Sequence, residues 1–434
     1  MENKNTKNKI IDCFTVGFAL FSILFGAGNL IFSTYLGSTT GHNWLLSFIF
    51  FTLADAGLVL LGILAFVKND NKTEKIYGKI GKIPSKILEI STLICLGPLI
   101  AIPRTAATSC EILLGSHMLI FSTIYFILVF AFSYKSTKVV DIVGKYLTPI
   151  LLIFITCFII IGILQNSEVP LLAVPATEAI KKGWQTGYQT LDVLCVNVVV
   201  ALLLKSLLDK GYKTEKDKKT LVLTSSFIAL GGLIIVYAGL TFLGAVNYDL
   251  NTEGINQATL LVKIADRILR GNSLILGIIV LLACLTTAVG LTSAVADNFS
   301  KMTKKDYKIW VIIIALISYI VSNFGLTKII NIASPILNVV YPVIILLTVL
   351  SFFNIKNTNI HKLSTIAVLI ISLFRVSFDI TSKPLFITKL PLFNIGFEWI
   401  IGAVIFGIIG SFIKPKENKN KQIPNTNKKG NTYE

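Results

Sequence analysis

Charge is scarce in this chain. Only 15% of its 434 residues are Asp, Glu, Lys or Arg, whereas 54% are hydrophobic. With a mean hydropathy of +0.76, that composition excludes an ordinary soluble enzyme. Histidine is nearly absent: His42, His117 and His361 stand far apart in connecting segments and offer no metal cluster. The six cysteines (Cys13, Cys95, Cys110, Cys157, Cys195, Cys284) lie in or beside apolar runs, and none forms a CxxC pair. They read as small buried hydrophobes, which excludes a zinc ribbon or a disulfide framework. No HExxH, GxSxG or P-loop pattern occurs, so the chain lacks the nucleophile–base or metal-ligand set of a membrane enzyme. No cofactor is expected.

Long apolar runs are what the chain does have. Twelve of them, at roughly 20 residues each, are long enough to cross a bilayer. Their limits are 13–36, 43–67, 87–114, 118–134, 140–164, 187–205, 220–244, 273–297, 308–325, 328–353, 363–381 and 393–413. The expected organisation is a short tail (1–12), an all-α polytopic membrane domain (13–413) and a Lys/Asn-rich tail (414–434) too polar to fold alone. The lysines near the N-terminus imitate a signal peptide, but the following apolar run is too long and lacks a small-residue cleavage site, so it reads as a retained first helix.

The net charge of +17 raises nucleic-acid binding, but the positions of the charges argue against it. Of the 40 Lys and Arg, 30 fall in the termini and even-numbered connectors, 8 in the odd-numbered connectors, and Arg104 and Arg375 inside spans. Such asymmetry places both termini in the cytoplasm, with the lysines facing an anionic leaflet. Two long connectors, 165–186 and 245–272, then lie outside, either as lids over a cavity or as plain surface loops.

Several features inside the spans are costly unless something uses them. Gly26-Ala27-Gly28-Asn29 sits mid-membrane in the first span. Glycine weakens a helix there by about 1 kcal/mol relative to Ala, and freed backbone groups in hydrocarbon need protein, water or a ligand. The alternatives are a broken helix that builds a transport site or a glycine-lined helix contact. Ionisable residues within spans are usually functional; here they include Asp55, Arg104, Glu111, Asp192, Arg375 and Asp379. Arg104 and Glu111 lie seven residues apart on one helix face, as a gating element or as a buried ion pair. Pro98 and Pro103 make 97–105 a poor plain helix. Arg375 and Asp379, spaced i, i+4, read as structural. If spans 1–5 form one repeat, the odd number inverts the second, so span 6 (with Gly187-Tyr188-Gln189-Thr190 and Asp192) corresponds to span 1, and span 8 to span 3. Paired irregular segments in corresponding positions point to a transport site. Span 8 carries Thr286-Thr287 and Thr292-Ser293, whose hydroxyls suit a hard monovalent cation or merely bond back to the preceding turn.

Leu24-Phe25-Gly26-Ala27-Gly28-Asn29-Leu30-Ile31-Phe32, Gly97-Pro98 through Pro103-Arg104-Thr105-Ala106, Cys284-Leu285-Thr286-Thr287-Ala288 with Gly290-Leu291-Thr292-Ser293, Ala333-Ser334-Pro335 and Tyr341-Pro342 occur in this order. Over about residues 10–413 the chain resembles the bacterial branched-chain amino acid:cation symporters of the BrnQ type. The resemblance implies twelve transmembrane helices in a 5+5 inverted repeat of the LeuT type plus two extra helices, in the cytoplasmic (inner) membrane. It implies uptake of leucine, isoleucine and valine with Na⁺, or in some members H⁺. Carried onto this chain, it implies amides near Gly26, Ala27, Gly28 and Asn29 for the substrate carboxylate and Tyr188 and Gln189 for the amine or side chain. Carbonyls near Ser22 and Phe25, with Thr286 and Thr287, would hold Na⁺. Asp55, Arg104, Glu111 and Asp192 stand as gating or proton-relay candidates. Two departures mark a subgroup: Ser33-Thr34 replace the prolines that commonly follow the first motif, and Gly57-Leu58-Val59-Leu60 stands where Gly-Leu-Pro-Leu is expected. The competing readings are a transporter of the same fold for another amino acid or a nucleobase, and a channel.

Overall fold

The computed structural model describes residues 6–134, 139–165, 168–170, 174–212, 214–383 and 386–414. In chain order the helices are α1 (Thr6–Leu24), α2 (Ala27–Thr40), α3 (Trp44–Thr52), α4 (Leu58–Lys68), α5 (Thr73–Tyr77), α6 (Lys82–Ile94), α7 (Ala101–Leu113), α8 (Met118–Tyr134) and α9 (Val139–Gln165). They continue with α10 (Ala176–Gln189), α11 (Asp192–Asp209), α12 (Glu215–Val246), α13 (Gln257–Ile268), α14 (Leu274–Thr303), α15 (Tyr307–Ser322), α16 (Leu326–Ser351), α17 (Thr358–Thr381) and α18 (Glu398–Phe412). Among the described residues, seven helical stretches are long and apolar enough to cross a membrane, and α1 with α2 forms an eighth as a pair bent by 68°. Four further apolar helices are shorter: Met118–Tyr134, Ile150–Gln165, Tyr307–Ser322 and Glu398–Phe412. The outer faces of the long and short apolar helices are rich in exposed Ile, Leu and Phe, such as Ile124, Ile153, Ile235 and Phe412. Aliphatic surface of that extent is stable in lipid rather than water.

Besides the bent first span, three spans depart from plain helix among the described residues. Between α3 and α4 the turn Leu53–Gly57 is π-helical and holds Asp55. Between α6 and α7 a second π turn, Cys95–Leu99, contains Pro98 and is kinked at Gly97 (φ −95°, ψ −115°). The expectation of a distorted 97–105 is met up to Ile100; from Ala101 regular helix resumes, with Pro103 in its first turn, where a missing N–H is harmless.

The third departure corrects the sequence reading. Residues 176–186 are not connector but most of α10, the first half of a broken sixth span that continues as α11. The polar, strongly amphipathic pattern of 176–189 concealed this: Gly183 and Gly187 let α10 approach α3 and the π turn after it so closely that a Cβ would lie 2.3 Å from Ser47 O and 2.6 Å from Ala54 Cβ, respectively. The second long connector is also not a plain loop. Its helix α13 buries Leu260, Leu261 and Ile264, and Arg267 forks onto Asp249 at 2.9 and 2.6 Å. That guanidinium holds the Asp249 carboxyl below its usual range.

Polar links between connectors fall into two groups. Lys9–Asp217 (3.1 Å), Lys210–Asp12 (2.8 Å) and Asn357 to Gly410 O (3.0 Å) join segments of the Lys/Arg-rich set. Asn43 to Val174 O (2.7 Å) and Asn256 to Glu111 (2.8 Å) join segments of the other set. The tail expected to be unstructured from 414 lies, after Lys414, outside the described residues.

Candidate functional site

The first span breaks where its glycines predicted. Phe25 and Gly26 separate α1 from α2, and Gly26 is extended (φ −112°, ψ 177°). Asn29 holds the break open: its Oδ1 accepts from Gly26 N (3.2 Å), and its own amide donates to Gly26 O (3.1 Å) rather than back to Phe25 O. The first turn of α2 leaves the amides of Ala27 and Gly28 without acceptors inside the helix. The Asn29 side chain also donates to Asp192 Oδ2 (2.9 Å) and the Tyr237 hydroxyl (2.5 Å).

The sixth span breaks at Thr190 and Leu191. Leu191 adopts left-handed φ/ψ (70°, 5°), a strained choice for a non-glycine residue that persists only when the surroundings enforce it. Thr190 Oγ1 donates to Asp55 Oδ1 (3.0 Å), so the π turn of the second span is tied to this break. Asp55, Asp192 and Tyr237 face one another, and all three are buried. Arg104, 6% exposed, reaches over from α7. Its Nη1 donates to Gln189 O (2.5 Å) and its Nη2 to Thr190 O (3.4 Å). These are the carbonyls at the C-terminal end of α10, where the helix dipole favours a cation. The guanidinium lies 5.1 Å from the centre of the Phe32 ring.

A cavity opens between the two breaks. Its lining includes Gly26, Gly28 and Asn29 of the first span, Arg104, Thr105 and Thr108 of α7, and Thr190 through Asp192 of the sixth span. Cys195, Thr287, Leu291 and the aliphatic Ile23, Leu24 and Leu96 complete it. It has about 50 Å³ of water-accessible space, several times the roughly 10–15 Å³ that one water needs.

The expected residues sort into three groups. Gly26, Gly28, Asn29, Arg104, Asp192 and Thr287 line the cavity, and Asp55 is joined to it through Thr190. Ala27 opens α2. Ser22 and Phe25 belong to the last turn of α1 and to the break, next to lining residues Leu24 and Gly26.

Three expectations shift. Tyr188 turns away from this cavity, packing its ring at a tilt against Tyr341 (centroids 4.3 Å apart) and hydrogen-bonding Trp184; it lines a separate small cavity with Arg375 and Glu398. Gln189 contributes its backbone carbonyl to Arg104, while its side chain is not part of the lining. Thr286 donates to Ala283 O (2.8 Å), the back-bonding alternative, which still leaves its oxygen lone pairs able to accept a cation.

Arg104 and Glu111 do not pair. Glu111 instead accepts from Asn256 (2.8 Å) and Thr259 (2.9 Å) at the end of α7, away from the cavity. Arg375 bonds Asp379 (3.1 Å), as their i, i+4 spacing suggests, and also the unforeseen Glu398 (3.3 Å). Thr190 belongs to the irregular segment 187–190 but was given no role, and Leu191, Tyr237 and Cys195 were missed: nothing in the local sequence of these three marks them, and they join the site only because helices far apart in sequence meet.

Two broken helices facing each other around a buried cavity give this helical membrane protein the LeuT-like fold. Solved structures of that fold align over nearly the whole chain. They include Mhp1, a nucleobase-cation-symport-1 family transporter, in a closed conformation with bromovinylhydantoin bound (12% identity, 92% of this chain and 91% of that one, TM-score 0.55). A Na⁺-coupled sialic acid symporter in a substrate-bound outward-open state aligns at 11% identity (93% and 90%, TM-score 0.60). MhsT in complex with L-phenylalanine aligns at 15% identity (92% and 98%, TM-score 0.56). Residues 9–417 match the family described as branched-chain amino acid transport protein, and the chain belongs to that family. Among its relatives, the branched-chain amino acid permease BraB of Bacillus subtilis (strain 168) is 34% identical over 442 residues, covering 94% of this chain and 98% of that one. The permease BrnQ of the same organism is 30% identical over 420 residues, covering 91% and 95%.

Proposed function

We propose that this chain is a secondary active symporter that imports the branched-chain amino acids leucine, isoleucine and valine with Na⁺ by alternating access. The observation that carries the reading is the cavity between the two helix breaks. It offers a buried guanidinium, a buried carboxyl group and an aliphatic wall, the complement of a small apolar zwitterion. Family membership and the permease relatives support the substrate class.

In this reading the chain crosses the bacterial cytoplasmic membrane twelve times, with both termini inside: α1–α2, α3–α4, α6–α7, α8, α9 and α10–α11, then α12 and α14 through α18. The first ten crossings form two inverted five-helix repeats and the last two are additional. Na⁺ sits where Thr287 of α14, with Thr286 beside it, faces carbonyls near Ser22 and Phe25 at the end of α1. Breaking a helix here supplies carbonyl oxygens to a cation and amides to an anion from the same few residues. H⁺ coupling is the second reading, favoured by one observation: two carboxyl groups, Asp55 and Asp192, are buried face to face.

Leucine uptake into proteoliposomes under imposed Na⁺ or H⁺ gradients tests the proposal. Saturable uptake that concentrates leucine and follows the Na⁺ gradient is expected. Flux that neither saturates nor concentrates speaks for a channel, and no leucine flux under either gradient overturns the reading.

A further inference from the structure

We propose that Arg104 is the receptor for the substrate's α-carboxylate. The inference rests on the amino-acid transport reading and deepens it, because it fixes which way round the substrate lies. Arg104 is buried, yet among the described residues no carboxylate lies within 4.0 Å of its guanidinium, and its two hydrogen bonds both go to main-chain carbonyls. A guanidinium carries five N–H donors, so three remain. A buried cation with no carboxylate in direct contact is costly, and an arginine fork matches a carboxylate bidentately.

The surroundings point the same way. Arg104 lines the cavity, and across from it is the first turn of α2. A Cβ on Gly28 would lie 2.8 Å from Arg104 Nη2, so the absence of a side chain there is what admits the guanidinium. The positive end of α2 and the guanidinium therefore converge on one corner of the cavity. The ring of Phe32 backs the guanidinium plane, and the α10 carbonyls hold its far edge, so the fork is fixed before a ligand arrives. Asp192 stands in the same lining. A zwitterion placed with its carboxylate on Arg104 and the α2 amides directs its ammonium toward Asp192. Its side chain then meets the aliphatic residues Ile23, Leu96 and Leu291.

The test compares L-leucine with L-leucinamide, which keeps the ammonium and the side chain but carries no carboxylate. Both are measured by equilibrium competition against labelled leucine on the full-length protein in lipid nanodiscs, with direct calorimetric titration of the amide for variants that bind leucine weakly. We expect the wild type to prefer leucine strongly. R104Q should lose about 100-fold in leucine affinity while leucinamide affinity stays within about threefold, as expected when one partner of a buried charge pair is removed. If R104Q does not fold, R104K carries the test: it keeps the charge without the fork, and its leucine-over-leucinamide preference should fall by about 10-fold. A wild-type preference in either folded variant overturns the proposal. If the wild type binds no branched-chain amino acid, the functional reading fails by itself. The same comparison is then made with whichever amino acid binds and with its amide, and Arg104 is judged on that pair. If no amino acid binds, both fail.

Discussion

Asn29 donates a hydrogen bond to Asp192 across 163 residues of chain, at 2.9 Å, from the first turn after one helix break to the first residue after the other. One side chain thus caps its own helix, through Gly26 N, and locks the two broken spans together. A double-mutant cycle with Asn29→Ala and Asp192→Ala should give a coupling of about 1–3 kcal/mol in thermal or denaturant unfolding, the range for a buried polar group that loses its partner. Additive effects would mean that the two breaks are positioned independently.

Gly28 and Gly37 lie on the same short helix but should respond differently to substitution. At Gly28 a Cβ meets the side-chain tip of Arg104, whereas at Gly37 it lies 1.8 Å from the backbone oxygen of Thr241 on α12. Gly28→Ala should insert and fold normally but bind leucine more weakly, and Gly28→Leu should abolish binding. Gly37→Ala should instead lower stability by about 1–3 kcal/mol or more, the cost of overpacking. Thermal melts paired with leucine binding separate the two; a Gly28→Leu protein with wild-type affinity would remove Gly28 from the site.

For the cation, Thr287→Val removes a hydroxyl at nearly constant volume. The Na⁺ concentration for half-maximal leucine uptake should rise by roughly 5- to 150-fold, corresponding to about 1–3 kcal/mol, with a smaller rise for Thr286→Val. Linkage then requires weaker leucine binding at fixed, subsaturating Na⁺. Wild-type uptake that ignores Na⁺ but follows a pH gradient would shift the coupling role to Asp55 and Asp192.

Orientation is open to chemical labelling. Glu253, in the connector after α12, and Lys216, at the start of α12, are both exposed. Single cysteines at these positions in a cysteine-free background should react from opposite sides of the membrane, Lys216→Cys from the cytoplasm. Same-side labelling would contradict the twelve-span topology.

Arg375→Leu leaves Glu398, 2% exposed, as a buried acid without its counter-charge. We expect a loss of about 3–5 kcal/mol in stability and an unchanged KM for leucine in the protein that remains folded. A raised KM would tie this cluster to the substrate path.

Periodicity, hydropathy and turn residues are local properties, and they determined what local physics can. The apolar runs gave the membrane-spanning helices, and Gly26 to Asn29 marked the break in the first of them, because a glycine-weakened helix in hydrocarbon must be used by something. The kinked third span was legible from Pro98 and Gly97 for the same reason. The start of the sixth span was not: α10 is polar and glycine-rich because it is buried against α3 rather than lipid, so its hydropathy resembles a loop. The site itself belongs to tertiary structure. Arg104 and Glu111 share a helix face and a spacing that suggests a pair, yet α10 supplies carbonyls to one and the α13 segment supplies amide and hydroxyl donors to the other. Asp55, Asp192, Tyr237 and Asn29 come from four separate stretches of chain, and only the meeting of two broken helices brings their charges and donors together. Sequence could name the costly residues inside the membrane; which of them compensate one another depends on distances of about 3 Å that no local pattern encodes.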